Sequence, residues 1–323
     1  MKQSTFRFAV TVIALLAAMT TPVNAQSDKP GRVVVGGPPG SGLDLLARLF
    51  ADKLRDLAGR HYIVDNRPGA SGTIAADAVA RGAPDGSVLL ISPLGPLITE
   101  PLFAKNINYD AFRDFTPISQ ISTSHVVYAI GQKVPATTLA EYFKLANADP
   151  KQAFYSTAGT NGLPFFFGLL VARNANVNLT NVPYKSALEA VNALAAGEVP
   201  AGVLPMGEVI ALHRRGQARI VATSGSQRST LLPDVPTFKE LGYKDLEAET
   251  WFGFLGPAKM PTALTDSLSK SMATILKQPE TVKLLSGQGL EVAGSTPQEF
   301  AQIMRRDKDR WTAAIKASGV KLE

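Results

Sequence analysis

The chain has 323 residues, with 33 Lys and Arg against 27 Asp and Glu, a net charge of +6 and no cysteine. That length buries a large core and lies at the size where one core divides into two. The missing cysteine excludes disulfides, thiolate metal sites and a lipid anchor on a terminal cysteine. The mild positive excess favours anionic ligands through long-range attraction, but no stripe of Arg and Lys interleaved with aromatics is present to hold single-stranded nucleic acid.

The chain opens with the pattern of a Sec-type signal peptide over residues 1–25. Lys2 and Arg7 supply its charge, Phe8 to Met19 is apolar, and Val23-Asn24-Ala25 has the spacing of a cleavage site. The apolar run is shorter than the roughly 20 residues that a membrane span needs. Cleavage after Ala25 would leave 298 residues with a net charge of +4, expected to be exported and soluble.

Arg32 to Gly36 is β-branched and reads as a strand, followed by the loop Gly36-Gly37-Pro38-Pro39-Gly40-Ser41-Gly42. Leu46, Leu49, Phe50, Leu54 and Leu57 recur at helical spacing between Leu43 and Leu57, and Gly59 stops that helix. His61 to Val64 is a second strand, Asn66-Arg67-Pro68-Gly69 a loop, Ile74 to Ala80 a helix and Val88 to Ile91 a third strand. Further strands are expected at His125 to Ile130, Phe154 to Ser156, Leu179 to Val182, Val199 to Leu204 and Arg219 to Thr223. Helices are expected at Leu139 to Ala146, Leu163 to Val171, Ala187 to Ala196 and Val209 to Arg214. After Trp251 to Leu255 the tail reads as two helices, Thr262 to Lys277 and Thr296 to Ala317. Strands that alternate with helices predict an α/β fold with a parallel sheet.

In open α/β sheets, ligands sit beyond the carboxyl ends of strands. The first such loop carries Pro39, Gly40, Ser41 and Gly42, whose last three N–H groups can turn towards an anion at a helix N-terminus. A tight turn with no ligand fits the same composition. The Walker spacing fails, because Leu43 and Asp44 stand where Lys and Ser or Thr are required. Asp44 falls in the first helical turn, where a carboxylate complements the dipole, and a contact with a ligand amine stays open. The second loop, Ser156, Thr157, Ala158, Gly159, Thr160, Asn161 and Gly162, again joins a strand to an apolar helix. Its hydroxyls and amide suit a ligand and suit helix capping equally. Tyr184 and Lys185, after a later strand, could add a ring and a charge.

Signs of catalysis are poor. His61, His125 and His213 are scattered, and no metal-binding pair or nucleophile elbow occurs. No catalytic residue, metal or cofactor is expected. His61 and His125 are expected to be structural histidines at strand starts.

At this point the sequence resembles the substrate-binding proteins of tripartite tricarboxylate transporters. The resemblance rests on Pro39-Gly40-Ser41-Gly42-Leu43-Asp44 with Ala47-Arg48, on Asn66 to Gly72, and on Val79-Ala80 with Pro84-Asp85-Gly86. It extends through Val182-Pro183-Tyr184-Lys185, Leu232 to Thr237, Gln288-Gly289-Leu290 and Ser295-Thr296-Pro297.

The resemblance implies a two-lobed, periplasmic-binding-protein-like fold, each lobe a mostly parallel sheet flanked by helices, with the ligand cleft between lobes. Residues 26–126 and 246–323 would form the first lobe and 127–245 an inserted second lobe. It implies a periplasmic, non-enzymatic monomer that captures a small organic carboxylate and delivers it to the permease subunits of a tripartite transporter. Ser92, Leu94 and Pro205 join the expected ligand-binding set. A sensory protein that presents its ligand to a receptor kinase, and a periplasmic hydrolase or isomerase, are the alternatives. Departures from the family at Ser41-Gly42, Gly162-Leu163-Pro164 and Leu204-Pro205-Met206 suggest a ligand less polar than citrate, an aromatic or alkyl monocarboxylate near Phe165 to Phe167.

Overall fold

The computed structural model describes residues 29–104, 106–159, 162–243 and 246–318. The expected signal peptide lies outside the described residues, as do Thr160 and Asn161 of the second loop.

Strand β1 (Gly31–Val35) buries Val33, Val34 and Val35 on both faces, as a central parallel strand requires. It pairs in parallel with β2 (Tyr62–Asn66) on one side and β3 (Val88–Pro93) on the other. Between β1 and β2, helix α1 (Gly42–Ala58) packs Leu46, Phe50 and Leu54 onto the sheet and ends at Gly59 in the left-handed region, φ 66°. Helix α2 (Thr73–Ala80) connects β2 to β3, and the short helices α3 (Leu94–Ile98) and α4 (Glu100–Phe103) follow β3.

Strand β4 (Phe115–Gly131) is 17 residues long, about three times an ordinary strand. From Phe115 to His125 it pairs antiparallel with β9 (Glu249–Pro257). From Val126 onward its partners are β7 (Ala201–Pro205) and, one residue later, β8 (Ala218–Thr223). The segment between these partners contains α5 (Leu139–Ala148), β5 (Phe154–Ala158), α6 (Leu163–Ala175), β6 (Thr180–Tyr184), α7 (Ala187–Ala196) and α8 (Met206–Arg214). Strands β6, β5 and β7 run parallel. After β9 come α9 (Thr262–Leu276), α10 (Pro279–Gly287), β10 (Glu291–Val292) and α11 (Pro297–Ser318). The α/β alternation holds, and the sheet is mixed: parallel at its outer strands and antiparallel where β4 and β9 cross its middle.

Two expectations need correction. The tail holds three helices, because α10 starts at Pro279 only two residues after α9 ends. The strand expected at His125 begins ten residues earlier, so His125 is in mid-strand. Its first half, with Pro117 and three serines, lacks the apolar alternation of a strand. Ser119, Ser122 and Ser124 are nonetheless buried. Ser119 Oγ donates to Ser295 O at 2.9 Å, and Ser124 Oγ to Gly289 O at 3.1 Å. The polar face of β4 is thus the dock for the C-terminal segment.

One apolar cluster runs through both halves of the sheet, from Val34 and Leu90 to Tyr128, Phe166 and Phe238. Helix α11 adds Phe300, Met304, Trp311 and Ile315 to it. Trp251 of β9 meets Phe300 edge-on, with centroids 5.0 Å apart, and its Nε1 donates to the buried Asp307 at 2.8 Å. Burial pushes the Asp307 carboxyl above the usual aspartate range, against the pull of the Trp251 N–H, Arg306 and Arg310. A carboxyl raised in the folded state contributes stability at low pH that is lost as pH rises from about 4 through its folded value. Asp307→Asn keeps an acceptor for Trp251 and removes this loss. Thermal unfolding from about pH 4 to about pH 7 should therefore show the difference in midpoint moving in favour of the variant as pH rises; a constant difference would refute the account.

Candidate functional site

The pairing registers bring five strand ends to two facing levels near the middle of β4. In the first half, Val35 lies opposite Ile91 at the carboxyl ends of β1 and β3. Pro93 lies opposite Phe252, which lies opposite Ser122 of β4. In the second half, Pro205 at the end of β7 lies opposite Val126, and Ala158 at the end of β5 opposite Tyr184 at the end of β6. From Ser122 to Val126 is about 13 Å at ~3.3 Å per residue. The two loops read from the sequence therefore stand on either side of the middle of β4, in the position where open α/β sheets bind ligands.

The first loop is organised around Asp44, whose side chain is 1% exposed. Its Oδ2 accepts from Gly40 N and Arg48 Nε, both at 2.9 Å, and its Oδ1 from Asn66 Nδ2 at 2.9 Å. Asn66 Nδ2 also donates to Gly37 O at 3.1 Å. Ser41 caps α1, its Oγ accepting from Asp44 N at 3.3 Å, while Ser41 N donates to Pro38 O. Of the three N–H groups expected to face an anion, Gly40 and Ser41 are thus bonded inside the loop. Gly42 N–H, at the first residue of α1, has no bond within the loop. Asp44 itself is turned inward, where its carboxylate is fully occupied. The Arg48 guanidinium, helped by Gly40 N–H and Asn66 and opposed by burial, lowers the Asp44 carboxyl to about 2.

Ser92 is buried, with Oγ donating to Pro93 O at 2.9 Å. Leu94 belongs to the core, so its side chain is not at the site. Pro39 and Gly40 are exposed at the loop surface.

The second loop is braced in the same way. Thr157 Oγ1 donates to Gly159 O at 2.9 Å and accepts from Asn181 Nδ2 at 2.8 Å. Gly159 N donates to Tyr184 O at 2.8 Å. Ser156 is buried, its Oγ 3.3 Å from Ala190 O and 3.4 Å from Ala201 O. The hydroxyls of Ser156 and Thr157 therefore shape the loop, while Ala158, Gly159, Tyr184 and Pro205 remain partly exposed at its rim. Burial raises the Tyr184 hydroxyl pKa, which keeps the group a proton donor. Lys185 is exposed. Phe166 and Phe167 are core, and Phe165 packs against that core half-buried.

Asn66 and Asn181 went unassigned in the sequence. Each reaches from a neighbouring parallel strand to the loop beside it. Asn66, the last residue of β2, was marked only as the start of a family motif, and Asn181, the second residue of β6, carried no mark. Among the histidines, His213 Nδ1 accepts from Ile220 N at 3.2 Å, while the buried His125 has no partner for Nδ1 among the described residues.

Asp44→Ala would leave Gly40 N–H and Asn66 without their acceptor. The depressed pKa corresponds to about 2 kcal/mol of stability at neutral pH, an upper figure because Arg48 is half-exposed and screened. A depressed carboxyl contributes this above its unfolded value, and the contribution is lost as pH falls towards about 2. The variant should unfold at lower temperature at pH 7, by up to about 3 °C, with the gap closing as pH falls below about 4. A gap that stays constant with pH would refute this electrostatic role.

Among the described residues no helix is long and apolar enough to cross a membrane, and no three His, Asp or Glu side chains converge as a metal site. The profile of the Tripartite tricarboxylate transporter family receptor, TctC, matches residues 46–320. The chain is 30% identical over 309 residues to a UPF0065 protein of Bordetella bronchiseptica, across 95% of this chain and 91% of that protein. It is similar to the structure of R. palustris Rpa4515 with adipate, at 29% identity and a TM-score of 0.76, over 90% of this chain and 97% of that one. It is also similar to MatC (Rpa3494) from Rhodopseudomonas palustris with bound malate, at 26% identity and a TM-score of 0.70, over 88% and 98% of the two chains. The chain belongs to the tripartite tricarboxylate transporter receptor family, whose members are periplasmic solute-binding proteins.

Proposed function

We propose that this chain is exported to the periplasm, captures a small organic carboxylate between two lobes and delivers it to the permease of a tripartite transporter, without catalysis. The lobes are residues 26–126 with 246–323, and the inserted residues 127–245. The observation that supports this reading is the register that brings the end of β3 on one side and the end of β7 on the other to the middle of β4. Of the groups expected at the ligand, Gly42 and the rim of Ala158, Gly159, Tyr184 and Pro205 are kept. Asp44, Ser92, Ser156 and Thr157 become supports of the loops, and Leu94 a core residue.

A malate- to adipate-sized dicarboxylate suits this geometry, with one carboxylate at the N-terminus of α1 and the other towards the second loop. Rpa4515 with adipate and MatC with malate support that choice. It replaces the aromatic monocarboxylate, because Phe166 and Phe167 are packed in the core. Micromolar capture needs roughly −8 kcal/mol, which a few charge-assisted hydrogen bonds of about 1.5–3 kcal/mol each can supply.

Thermal unfolding of the mature protein, refolded to remove bound solutes, tests the reading against malate, succinate, adipate, citrate and benzoate. A ligand at a hundredfold excess over Kd stabilises the folded state by about 2.7 kcal/mol. Upward shifts with the dicarboxylates are expected. No shift with any acid would overturn the function, and a shift with benzoate alone would restore the aromatic ligand.

A further inference from the structure

The loop that leaves β8 is strapped across β4 at the joint between the halves. Thr123 pairs with Trp251 of β9 and with Glu291 of β10, so these two strands lie on opposite edges of β4. His125 pairs with Glu249 of β9. Paired residues, and residues two apart on one strand, point to the same face of a sheet. His125, Glu249 and Glu291 therefore share a face, with Glu249 directly opposite His125 and Glu291 diagonal to it. Gly225, just after β8, lies against the His125 ring: a Cβ there would fall 2.2 Å from Cε1 and 2.4 Å from Nε2. From Gly225 the strap continues to Thr230 and is held by both carboxylates. Glu249 Oε1 accepts from Ser226 N at 2.9 Å and from Ser226 Oγ at 3.1 Å. Glu291 Oε1 accepts from Thr230 N at 3.0 Å and from Ser229 Oγ.

His125 is 4% exposed, and its Nδ1 is buried with no partner among the described residues. Glu249 and Glu291 are the charged groups that face it among the described residues. Arg228, the charged residue of the strap, is turned instead to Glu240, with Nε 2.9 Å from Oε1. Burial pushes the His125 imidazole below its usual value, against the pull of Glu291 and Glu249. A neutral ring is tolerated under the strap. An imidazolium carries a charge and two N–H donors, which a covered face does not hydrate. The carboxylates that could receive those donors are already bonded to Ser226, Ser229 and Thr230.

We infer that His125 and the strap 225–230 form an acid-sensitive fastening of the joint, in which a proton on the imidazole releases the strap from Glu249 and Glu291. With the strap lifted, the ring meets water and titrates at the ordinary histidine value of about 6.5. The strapped state binds the proton less well than the released state, so it loses ground as pH falls below about 6.5. At higher pH the ring is neutral in both states and the strap holds. Release removes the bonds that tie a loop of the second half to β9 and β10. The backbone bonds of Ser224 to Val126 and Ala248 remain. This fastening needs no ligand, so its test is separate from that of the carboxylate reading.

Amide hydrogen exchange of the ligand-free mature chain, corrected for the intrinsic effect of pH, tests this in the wild type, His125→Gln and His125→Phe. In the wild type, protection of the Ser226 and Thr230 amides should fall by up to about 25-fold from about pH 7 to about pH 5, the limit set by a released histidine that titrates near 6.5. It should lie below the protection of Val33 to Val35 in β1, because the strap opens while the core stays folded. Both variants lack the titrating group, so their strap protection should stay nearly constant over the same range. Wild-type strap protection that does not change with pH, or that equals that of β1 throughout, would overturn the inference, and this arm needs no variant to fold. A fall in a folded variant as large as in the wild type would overturn it as well.

Discussion

Every backbone N–H and C=O along a buried strand must find a partner, and in β4 that requirement is met by two different sets of neighbours. Up to His125 the partners come from β9; from Val126 they come from β7 and β8. The change of partner sets the level at which β3 ends on one side and β7 on the other. It also explains the antiparallel centre of an otherwise parallel sheet. A strand that serves two halves must be met by strands returning from each of them. The position of the site therefore follows from hydrogen-bond bookkeeping along one strand before any ligand chemistry is considered.

Both loops beside the middle of β4 are held by side-chain hydrogen bonds within the protein. Asp44, Asn66 and Arg48 brace the first, while Asn181 and Thr157 brace the second. Glycine-rich segments lose much conformational entropy on ordering, and fixed amide bonds to a buried carboxylate offset part of that loss. The residues closest in sequence to a plausible ligand contact are, in large part, the scaffold that keeps such contacts in place.

The sequence made the βα rhythm legible because its cues are local: the valines of β1, the stripe of Leu46, Phe50 and Leu54, and the stop at Gly59. The front of β4 was illegible. Ser119 and Ser124 find acceptors at residues 295 and 289, far away in the chain. Asp44 illustrates the same limit. Its place in the first helical turn could be read, but its inward orientation depends on Asn66, 22 positions away. Gln288 was visible only as part of a family motif. Its proximity to Gly42 and Gly207 is a product of the tertiary fold.

The apolar cluster shared by both halves has a consequence for how the protein comes apart. Phe300, Met304, Trp311 and Ile315 of α11 sit in the same cluster as Tyr128, Phe166 and Phe238. Each half also has a cluster of its own, around Phe50 and Leu54 in the first and around Val127 and Leu204 in the second. Melting either half would nevertheless expose the common surface, which couples the two in unfolding. Any free energy added at the joint protects the whole molecule, including regions far from the solute that supplies it.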